Sequence, residues 1–487
     1  MTISKARTFR NILYTSLTKG ATLLCVALAT SAVARNLDPS DYGVVGFAAI
    51  VIGFLGQFSD VGVASAAIRR PALDRRSLRT AFTMKIILGC TAFAAALFAA
   101  PFARRFFEHP ATGNVIRVLA LDFLVSAVGF MPLVTLTREQ NFRALIVPGV
   151  LSAAARCLLI VVLLWCGWKF WAVVLADVGA TLAGGVAMQA ARNAPMRLEF
   201  DAPVAWEYLQ FGLPLLGSGI LVFLVLNMDN FLVGSRMGSA PLGYYALAFT
   251  WGSFVCGLLY GTVHNATFPA FSAIQEDAAA MRRWYLKTVD MVGFIAVAAN
   301  AALLANARFF LVTFLGKGSG KWLPAAAALR ILCVYGILRA ITEPVGNCIL
   351  ARGRTKMLLQ ANALAGAVEL LLLLPAVRTG RIELVAAAVL AAYATQALVY
   401  LPFLRREFSI GFGDLAAQLW PVVPALLGGC LVTSLLPDSL GGGLVTLAAR
   451  GLFTALAAAL IHGVCTRFRC FHEAGGMISQ NLARVGA

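Results

Sequence analysis

The chain has 487 residues, of which 60% are hydrophobic and 13% charged, and it carries a formal net charge of +18. Soluble domains are about 45–50% apolar and about 25% charged, so a chain with a mean hydropathy of +0.82 cannot hide its apolar surface in a soluble core. The composition predicts a polytopic membrane protein. The basic excess then reflects membrane topology or an anionic ligand and gives no reason to expect a nucleic-acid partner.

About fourteen apolar stretches follow one another along the chain, each long enough for a spanning helix of ~20 residues. The loops left over average about 12 residues, too short for a folded soluble domain. This excludes a pump with its own ATPase domain and disfavours enzymes with a large catalytic loop. Motifs for phosphate loops, zinc proteases and serine hydrolases are absent, and the ten cysteines lack metal-site spacing.

The first span begins near residue 11, after a basic N-terminal segment. Asn11, Thr15 and Lys19 recur at the spacing of one helix face, which predicts a polar face toward a hydrated cavity. Lys19 then either presents a cation to an anionic substrate or snorkels toward the nearer membrane surface. We carry all three residues forward as candidate substrate-binding residues.

Charged residues also occur in the next spans of the first half. Asp60 ends the second span and is assigned a capping or gating role, and Lys85 in the third span is expected to snorkel. Arg156 lies in the middle of the fifth span, where its planar guanidinium either binds phosphate or pairs with Asp177 of the sixth span. Arg156 is a candidate substrate-binding residue, and Asp177 a candidate for gating or ion coupling.

Two further groups of polar or charged residues occur from the seventh span onward. Asn227 and Asp229, near the end of the seventh span, are candidates for lining an outer cavity or binding a coupling cation. Arg339 lies mid-span in the tenth helix with Glu343 four residues later, a spacing that favours an intrahelical ion pair. Arg339 remains a third candidate for contact with an anionic substrate.

Two pairs of similar segments occur about 200 residues apart. LDPSDYGVVGFAA after the first span matches MGSAPLGYYALAF after the seventh, with Gly43 aligned to Gly243. The second pair is Arg117–Val134 and Arg330–Asn347, with Pro132 and Pro344 near their ends. We predict an all-α protein with a six-span lobe at residues 1–200, a parallel second lobe at 201–410, and an extra helix pair with a cytosolic tail at 411–487.

The segment from Leu37 to Arg70 resembles the opening of Wzx-type polysaccharide flippases. These belong to the multidrug/oligosaccharidyl-lipid/polysaccharide exporter superfamily, and the similarity is strongest to the group that handles colanic acid and exopolysaccharide. The resemblance follows the pattern L-x-P-x-D-Y-G…F-S-D-x-G-x-x-x-A-x-I-x-R. The positions that carry it are Leu37, Pro39, Asp41, Tyr42, Gly43, Phe58, Ser59, Asp60, Gly62, Ala66, Ile68 and Arg70.

This resemblance implies a MATE-like fold and an inner-membrane flippase. Such a protein moves oligosaccharide linked to undecaprenyl pyrophosphate to the periplasmic leaflet by alternating access, and works with a polysaccharide polymerase and other assembly proteins. Basic residues are concentrated in the segments before the first span and after the even ones, so both termini are expected in the cytoplasm. We expect no cofactor and no metal; coupling to H⁺ or Na⁺ stays open.

Two other functions remain as alternatives. A cation-coupled multidrug exporter of the same superfamily would bind cationic cargo with carboxylates, whereas the first span here offers Lys19. A membrane-embedded polysaccharide polymerase or ligase would need a long catalytic loop outside the membrane, which the short loops disfavour. A purely structural scaffold does not account for the repeat and the charges within spans.

Overall fold

A computed structural model describes residues 25–70, 73–107, 109–139, 141–437 and 443–466. Within those ranges every regular element is helical. The candidate residues Asn11, Thr15 and Lys19 lie outside the described residues. The helices are the described part of α1 (25–36), α2 (Pro39–Phe58), α3 (Val63–Arg69), α4 (Arg75–Phe106), α5 (Thr112–Leu119), α6 (Leu121–Val125), α7 (Phe130–Arg138), α8 (Phe142–Trp165), α9 (Trp171–Ala191), α10 (Ala202–Met237), α11 (Ser239–Gly252), α12 (Phe254–Ala273), α13 (Ala278–Ala305), α14 (Ala307–Phe309), α15 (Ala326–Ala351), α16 (Thr355–Arg378), α17 (Ile382–Phe408), α18 (Phe412–Leu419), α19 (Val422–Leu435) and α20 (Gly443–Cys465).

Ten helices in the described ranges are long and apolar enough to cross a membrane: α2, α4, α8, α9, α10, α13, α15, α16, α17 and α20. A bent pair, Thr112–Val125 with Phe130–Arg138, would be an eleventh span; its two parts meet at 51°. The predicted all-helical membrane architecture is confirmed. The predicted number of about fourteen spans stays a prediction, because α1 is described only in part and α11 and α19 are short.

Side-chain caps begin several of the long helices. Each cap is an Asp or Asn at the end of a polar connection, and its side chain accepts a backbone N–H of the first turn. The capped helices are α4 (Asp74), α8 (Asn141), α10 (Asp201) and α13 (Asp277). Because a cap satisfies orphan donors at the membrane boundary, these residues set where each apolar segment starts.

Contacts divide the chain into two compact units, Met1–Ala246 and Leu247–Ala487. In the first unit, one apolar core joins α3, α4, α7 and α10, and a second joins α1 with α8 and α9. The predicted lobes 1–200 and 201–410 stay a prediction. The repeat-related Gly43 and Gly243 are in direct contact within this unit, because each lies against the backbone of the other's helix.

In the second unit, the last two helices pack onto the same core as the others. Ala425 of α19 and Ala458 of α20 share a buried cluster with Val297 of α13 and Ile349 of α15. Gly429 of α19 sits against small side chains of α13 and α20, which allows a close approach. The C-terminal helix pair is therefore an integral layer of the second unit.

Candidate functional site

A half-buried charge cluster of the first unit lies midway along α8 and in the first half of α9. The Arg156 Nε on α8 donates to the Asp177 carboxylate on α9, and the two side chains are 33% and 29% exposed. The structure thus realises one of the two alternatives for Arg156, the interhelical ion pair. Partial exposure leaves the guanidinium reachable, so the pair does not remove it from contact with a ligand.

A small cavity of about 210 Å³ opens at Arg156. Its walls come from α1 and α8 and include Cys25, Gly149 and Ser152 besides Arg156. The glycine and the small side chains at these positions leave the space that forms the cavity. The Ser152 hydroxyl donates to the Ala180 carbonyl of α9 at 2.8 Å. The Arg156 guanidinium therefore lines a cavity beside α1. A cationic group in this position is suited to binding an anion.

A second carboxylate, which sequence analysis missed, belongs to the same cluster. Asp122 of α6 lies near Asp177 of α9, because α6 packs against α9. Its Oδ1 is buried and has no hydrogen-bond partner among the described residues. The signal was available in the sequence, since Asp122 interrupts the apolar run of the fourth predicted span.

A larger apolar groove of about 1010 Å³ runs along the same two helices. It extends from Asn141 and Ala191 at one end of α8 and α9 to Leu151 and Gly179 near their middle. The walls are mostly alanine, valine and leucine, which suits hydrocarbon and offers no directional contact. The two helices thus carry an apolar surface and a charged cluster within a few turns of each other.

Asp229 forms a separate polar site in the first unit. The carboxylate is 2% exposed and accepts hydrogen bonds from the Tyr245 hydroxyl at 2.6 Å and from Asn230 Nδ2 at 3.0 Å. The Asn227 amide instead donates to the Phe223 carbonyl of its own helix. The predicted polar group is therefore divided, with Asp229 tied to α11 and Asn227 satisfied locally.

Arg339 is held by residues of its own helix, α15, and of α17 in the second unit. Its Nε donates to Glu343 Oε1 at 3.2 Å, its Nη1 donates to the Tyr335 hydroxyl at 3.2 Å, and the guanidinium lies over the Tyr393 ring. The intrahelical pair expected from the spacing is present. An anionic ligand would have to displace these contacts, so Arg339 is a weaker candidate than Arg156.

Asp60 lies at the break between α2 and α3, where Val61 and Gly62 both have positive φ. Lys85 is 7% exposed, and its ammonium donates to the Ser59 carbonyl at 3.3 Å. The expectation that Lys85 snorkels is wrong, because its side chain is buried against the end of α2. This cation satisfies a helix terminus and is not available to a ligand.

Comparisons with known proteins agree with this architecture. The lipopolysaccharide biosynthesis protein WzxC of Escherichia coli (strain K12) is 23% identical over 353 residues, with 70% of each chain covered. An inward-facing MATE family transporter of the MOP superfamily superimposes with a TM-score of 0.65 at 15% identity, covering 81% of this chain and 98% of its own. The lipid II flippase MurJ, in an inward closed conformation, gives 0.67 at 14% identity, covering 94% of this chain and 99% of its own.

These matches confirm the predicted MATE-like fold and the resemblance to Wzx-type proteins. A family model described as "Polysaccharide biosynthesis protein" matches residues 32–327, more than half of the chain. The match covers α2 through α13 and includes both Arg156 and Asp177. The protein therefore belongs to the polysaccharide biosynthesis protein family.

Proposed function

We propose that the protein is a flippase that moves oligosaccharide linked to undecaprenyl pyrophosphate from the cytoplasmic to the periplasmic leaflet of the bacterial inner membrane. The proposal rests on family membership over residues 32–327 together with the Arg156 cavity within the membrane. A transporter needs no bond-making residues, only a site that lowers the cost of moving a charged headgroup through hydrocarbon.

The chemistry of such a substrate matches the surfaces of α8 and α9. A pyrophosphate with attached sugars cannot cross hydrocarbon unaided, and a planar guanidinium is well suited to a phosphate group. The isoprenoid chain needs only an apolar surface. The cavity at Arg156 and the apolar groove on the same helices provide both kinds of contact.

Orientation and partners form part of the same proposal. The positive-inside rule favours both termini in the cytoplasm, where the lipid-linked unit would be made. The translocated product would pass to a polysaccharide polymerase and other assembly proteins in the periplasmic leaflet. Asp60, Asp177, Asn227 and Asp229 remain candidates for gating or for coupling to H⁺ or Na⁺.

A translocation assay in cells that depend on this chain tests the proposal. We expect Arg156→Gln to lower the outer-leaflet appearance of the lipid-linked unit about tenfold, since one charge-assisted hydrogen bond to phosphate is lost. Arg117→Gln is the matched control, because Arg117 is exposed and contacts Asn114 on its own helix. Unchanged translocation on removal of the whole chain would reject the proposal.

The multidrug-exporter alternative is tested in the same cells. This alternative is tested because a MATE family transporter shares the fold. Cells lacking the chain would then become sensitive to cationic dyes while the lipid-linked unit still reached the outer leaflet. We expect the reverse, with the unit accumulating on the inner leaflet and dye sensitivity unchanged.

A further inference from the structure

Polar side chains recur along one face of α15 in the second unit. Tyr335, Arg339, Glu343 and Asn347 follow one another at intervals of four residues, the spacing of neighbours on one side of a helix. Arg339 lies midway along the 26 residues of α15, and Glu343 lies one turn later. Because α15 is apolar enough to cross a membrane, ionised groups at this depth are costly unless they face water, a partner or a ligand.

The Arg339–Glu343 ion pair contributes little to the stability of α15 itself. A pair four residues apart on one helix adds only a small stabilisation, and apolar side chains in the same places would avoid the desolvation of two charges. Asn347, at the end of this face, is used in packing: it is 5% exposed, and its amide donates to the Thr267 hydroxyl of α12 at 2.8 Å. The side chains of Arg339 and Glu343 differ from it, because they are 20% and 25% exposed.

The partly exposed section of this face keeps hydrogen-bonding capacity. The Arg339 Nε donates to Glu343 and the Nη1 to the Tyr335 hydroxyl, whereas Nη2 has no hydrogen-bond partner among the described residues. The Tyr393 hydroxyl of α17 makes no hydrogen bond within the described ranges either, and Tyr393 is half-buried. The Arg339 guanidinium carbon is 5.9 Å from the centre of the Tyr393 ring, so these groups lie side by side.

Tyr335 fixes the position of both Arg339 and Tyr393. Its hydroxyl accepts from Arg339 Nη1 at 3.2 Å, and its ring meets the Tyr393 ring edge-on with 5.0 Å between the ring centres. Tyr335 is itself 2% exposed, which leaves its ring little room to move. A ligand that binds here meets groups already in place and loses less free energy to ordering them.

The chemistry of this site suits neighbouring hydroxyl groups. A hydroxyl both donates and accepts, so two adjacent hydroxyls of a sugar ring can accept from Arg339 Nη2 and donate to the Glu343 carboxylate together. A phosphate has no proton to donate and would meet the negative charge of Glu343 next to the cation. The cavity at Arg156 differs in this respect, because its described walls include the cation and not the Asp177 carboxylate.

We propose that Arg339, Glu343 and Tyr393 bind hydroxyl groups in the oligosaccharide part of the substrate, with Tyr335 as a positioning residue. This inference rests on the proposed function and deepens it, because it assigns the sugar to residues of the second unit. A hydroxylated ligand adds its hydrogen bonds to the Arg339–Glu343 pair without displacing it, which an anionic ligand would have to do. No covalent bond is made or broken.

Binding of two probes to the purified full-length protein tests the inference. One probe is undecaprenyl pyrophosphate, and the other is undecaprenyl pyrophosphate carrying the repeat-unit oligosaccharide, extracted from the host cells. We expect the wild type to bind the glycosylated probe about tenfold more tightly than the bare lipid, since hydrogen bonds to charged groups are added. The double variant Arg339→Gln/Glu343→Gln, which leaves no unpaired charge within the span, should bind both probes as the wild type binds the bare lipid.

A milder variant and two controls separate a sugar contact from a structural defect. Tyr393→Phe keeps the ring and removes the hydroxyl, and should lower the preference for the glycosylated probe about threefold. Arg381→Gln/Glu383→Gln is the matched control: it removes an ion pair of 3.8 Å at the start of α17, where Arg381 is 67% exposed, and should behave as the wild type. Arg156→Gln should weaken both probes by the same factor and keep the ratio between them.

Equal affinity of the wild type for the two probes would overturn the inference. An Arg339→Gln/Glu343→Gln variant that keeps the wild-type preference, or that binds the bare lipid as weakly as it binds the glycosylated one relative to the wild type, would overturn it too. Translocation is measured separately, in cells from which the whole chain is removed. Loss of translocation there, without any sugar preference at these residues, would reject this inference and leave the proposed function standing.

Discussion

Several buried or half-buried cations in the described residues bind carbonyl groups at helix ends. Lys85 donates to the Ser59 carbonyl at the end of α2, and Arg450 donates to the Thr433 carbonyl in the last turn of α19 at 3.1 Å. Arg138 donates to the Arg70 carbonyl just after α3. A positive group at a helix C-terminus pairs with free carbonyls and with the negative end of the helix dipole. The number of charged residues within spans is therefore larger than the number available to a substrate. Arg156 differs from these cations because it faces a cavity.

Asp74 gives a residue-scale prediction about the start of α4. Its carboxylate accepts a hydrogen bond from the Ser77 backbone N–H at 3.2 Å, and hydrogen bonding by Ser77 lowers the pKa of Asp74. Asp74→Ala should lower the thermal unfolding midpoint in detergent by about 1–2 °C, while Asp74→Asn, which still caps, should lower it less.

The pH dependence of this cap has a definite sign. A group whose pKa is lower in the folded state stabilises that state above its unfolded pKa, and the benefit disappears as the pH falls through the folded value. The difference in midpoint between the wild type and Asp74→Ala should therefore shrink on acidification below about pH 4. A difference that stays constant across this range would contradict the assignment.

At the scale of elements, the first unit depends on a close crossing of α2 and α11. A Cβ added at Gly43 would overlap the Ser239 carbonyl oxygen, and one added at Gly243 would overlap the Pro39 carbonyl oxygen. The contact is reciprocal, and it joins the two segments that sequence comparison aligned with each other. Glycine is required at both positions because backbone, not a movable side chain, fills the space.

Gly43→Ala should therefore destabilise the protein by about 1–3 kcal/mol, the usual cost of overpacking. The measurement is the thermal or denaturant unfolding of the purified protein in detergent. Gly217→Ala in α10 is the matched control, since a Cβ there meets nothing within 4 Å and alanine is the better helix former. Equal stability of Gly43→Ala and Gly217→Ala would contradict this prediction. It would show that α2 and α11 can move apart to admit the added Cβ without destabilising the protein.

The length of an apolar stretch in the sequence was enough to predict a membrane-spanning helix in several places. Among the apolar stretches of the sequence that are long enough to span a membrane, α8, α16 and α17 each form one continuous helix. The break at Val61 and Gly62 could not be predicted, because it depends on the backbone of Gly212 lying against it. A positive φ at a β-branched valine persists only when tertiary contacts hold it, and a single sequence does not contain them.

The candidate site was predictable in part for the same reason. Mid-span position was enough to select Arg156 and to suggest Asp177 as its partner. The third member, Asp122, comes from a helix more than thirty residues earlier in the chain, and only the packing of α6 on α9 brings it there. The sequence identifies charged residues within apolar stretches. The fold is needed to show which of these residues lie together.

At the scale of the whole molecule, each unit concentrates its ion pairs at one end. In the first unit these pairs join the segment around Arg76 to that around Asp201, and in the second unit the segment around Arg354 to Glu407. Further pairs at these ends are Arg70–Glu207, Arg79–Glu199, Arg192–Glu139 and Arg282–Asp414. These segments are the ones whose basic content favours the cytoplasmic side.

Orientation in the membrane follows as the last prediction, and Cys166 tests it. This cysteine is exposed in the connection between α8 and α9, beside Trp165, which is 91% exposed and suits a membrane interface. In a variant that keeps Cys166 as its single cysteine, a membrane-impermeant maleimide should label the protein in intact spheroplasts. A single cysteine introduced by Lys356→Cys, in an exposed segment near Arg354, should react only after the membrane is opened. The reverse pattern would place the charged ends outside and would exclude loading of a cytoplasmic lipid-linked substrate at that face.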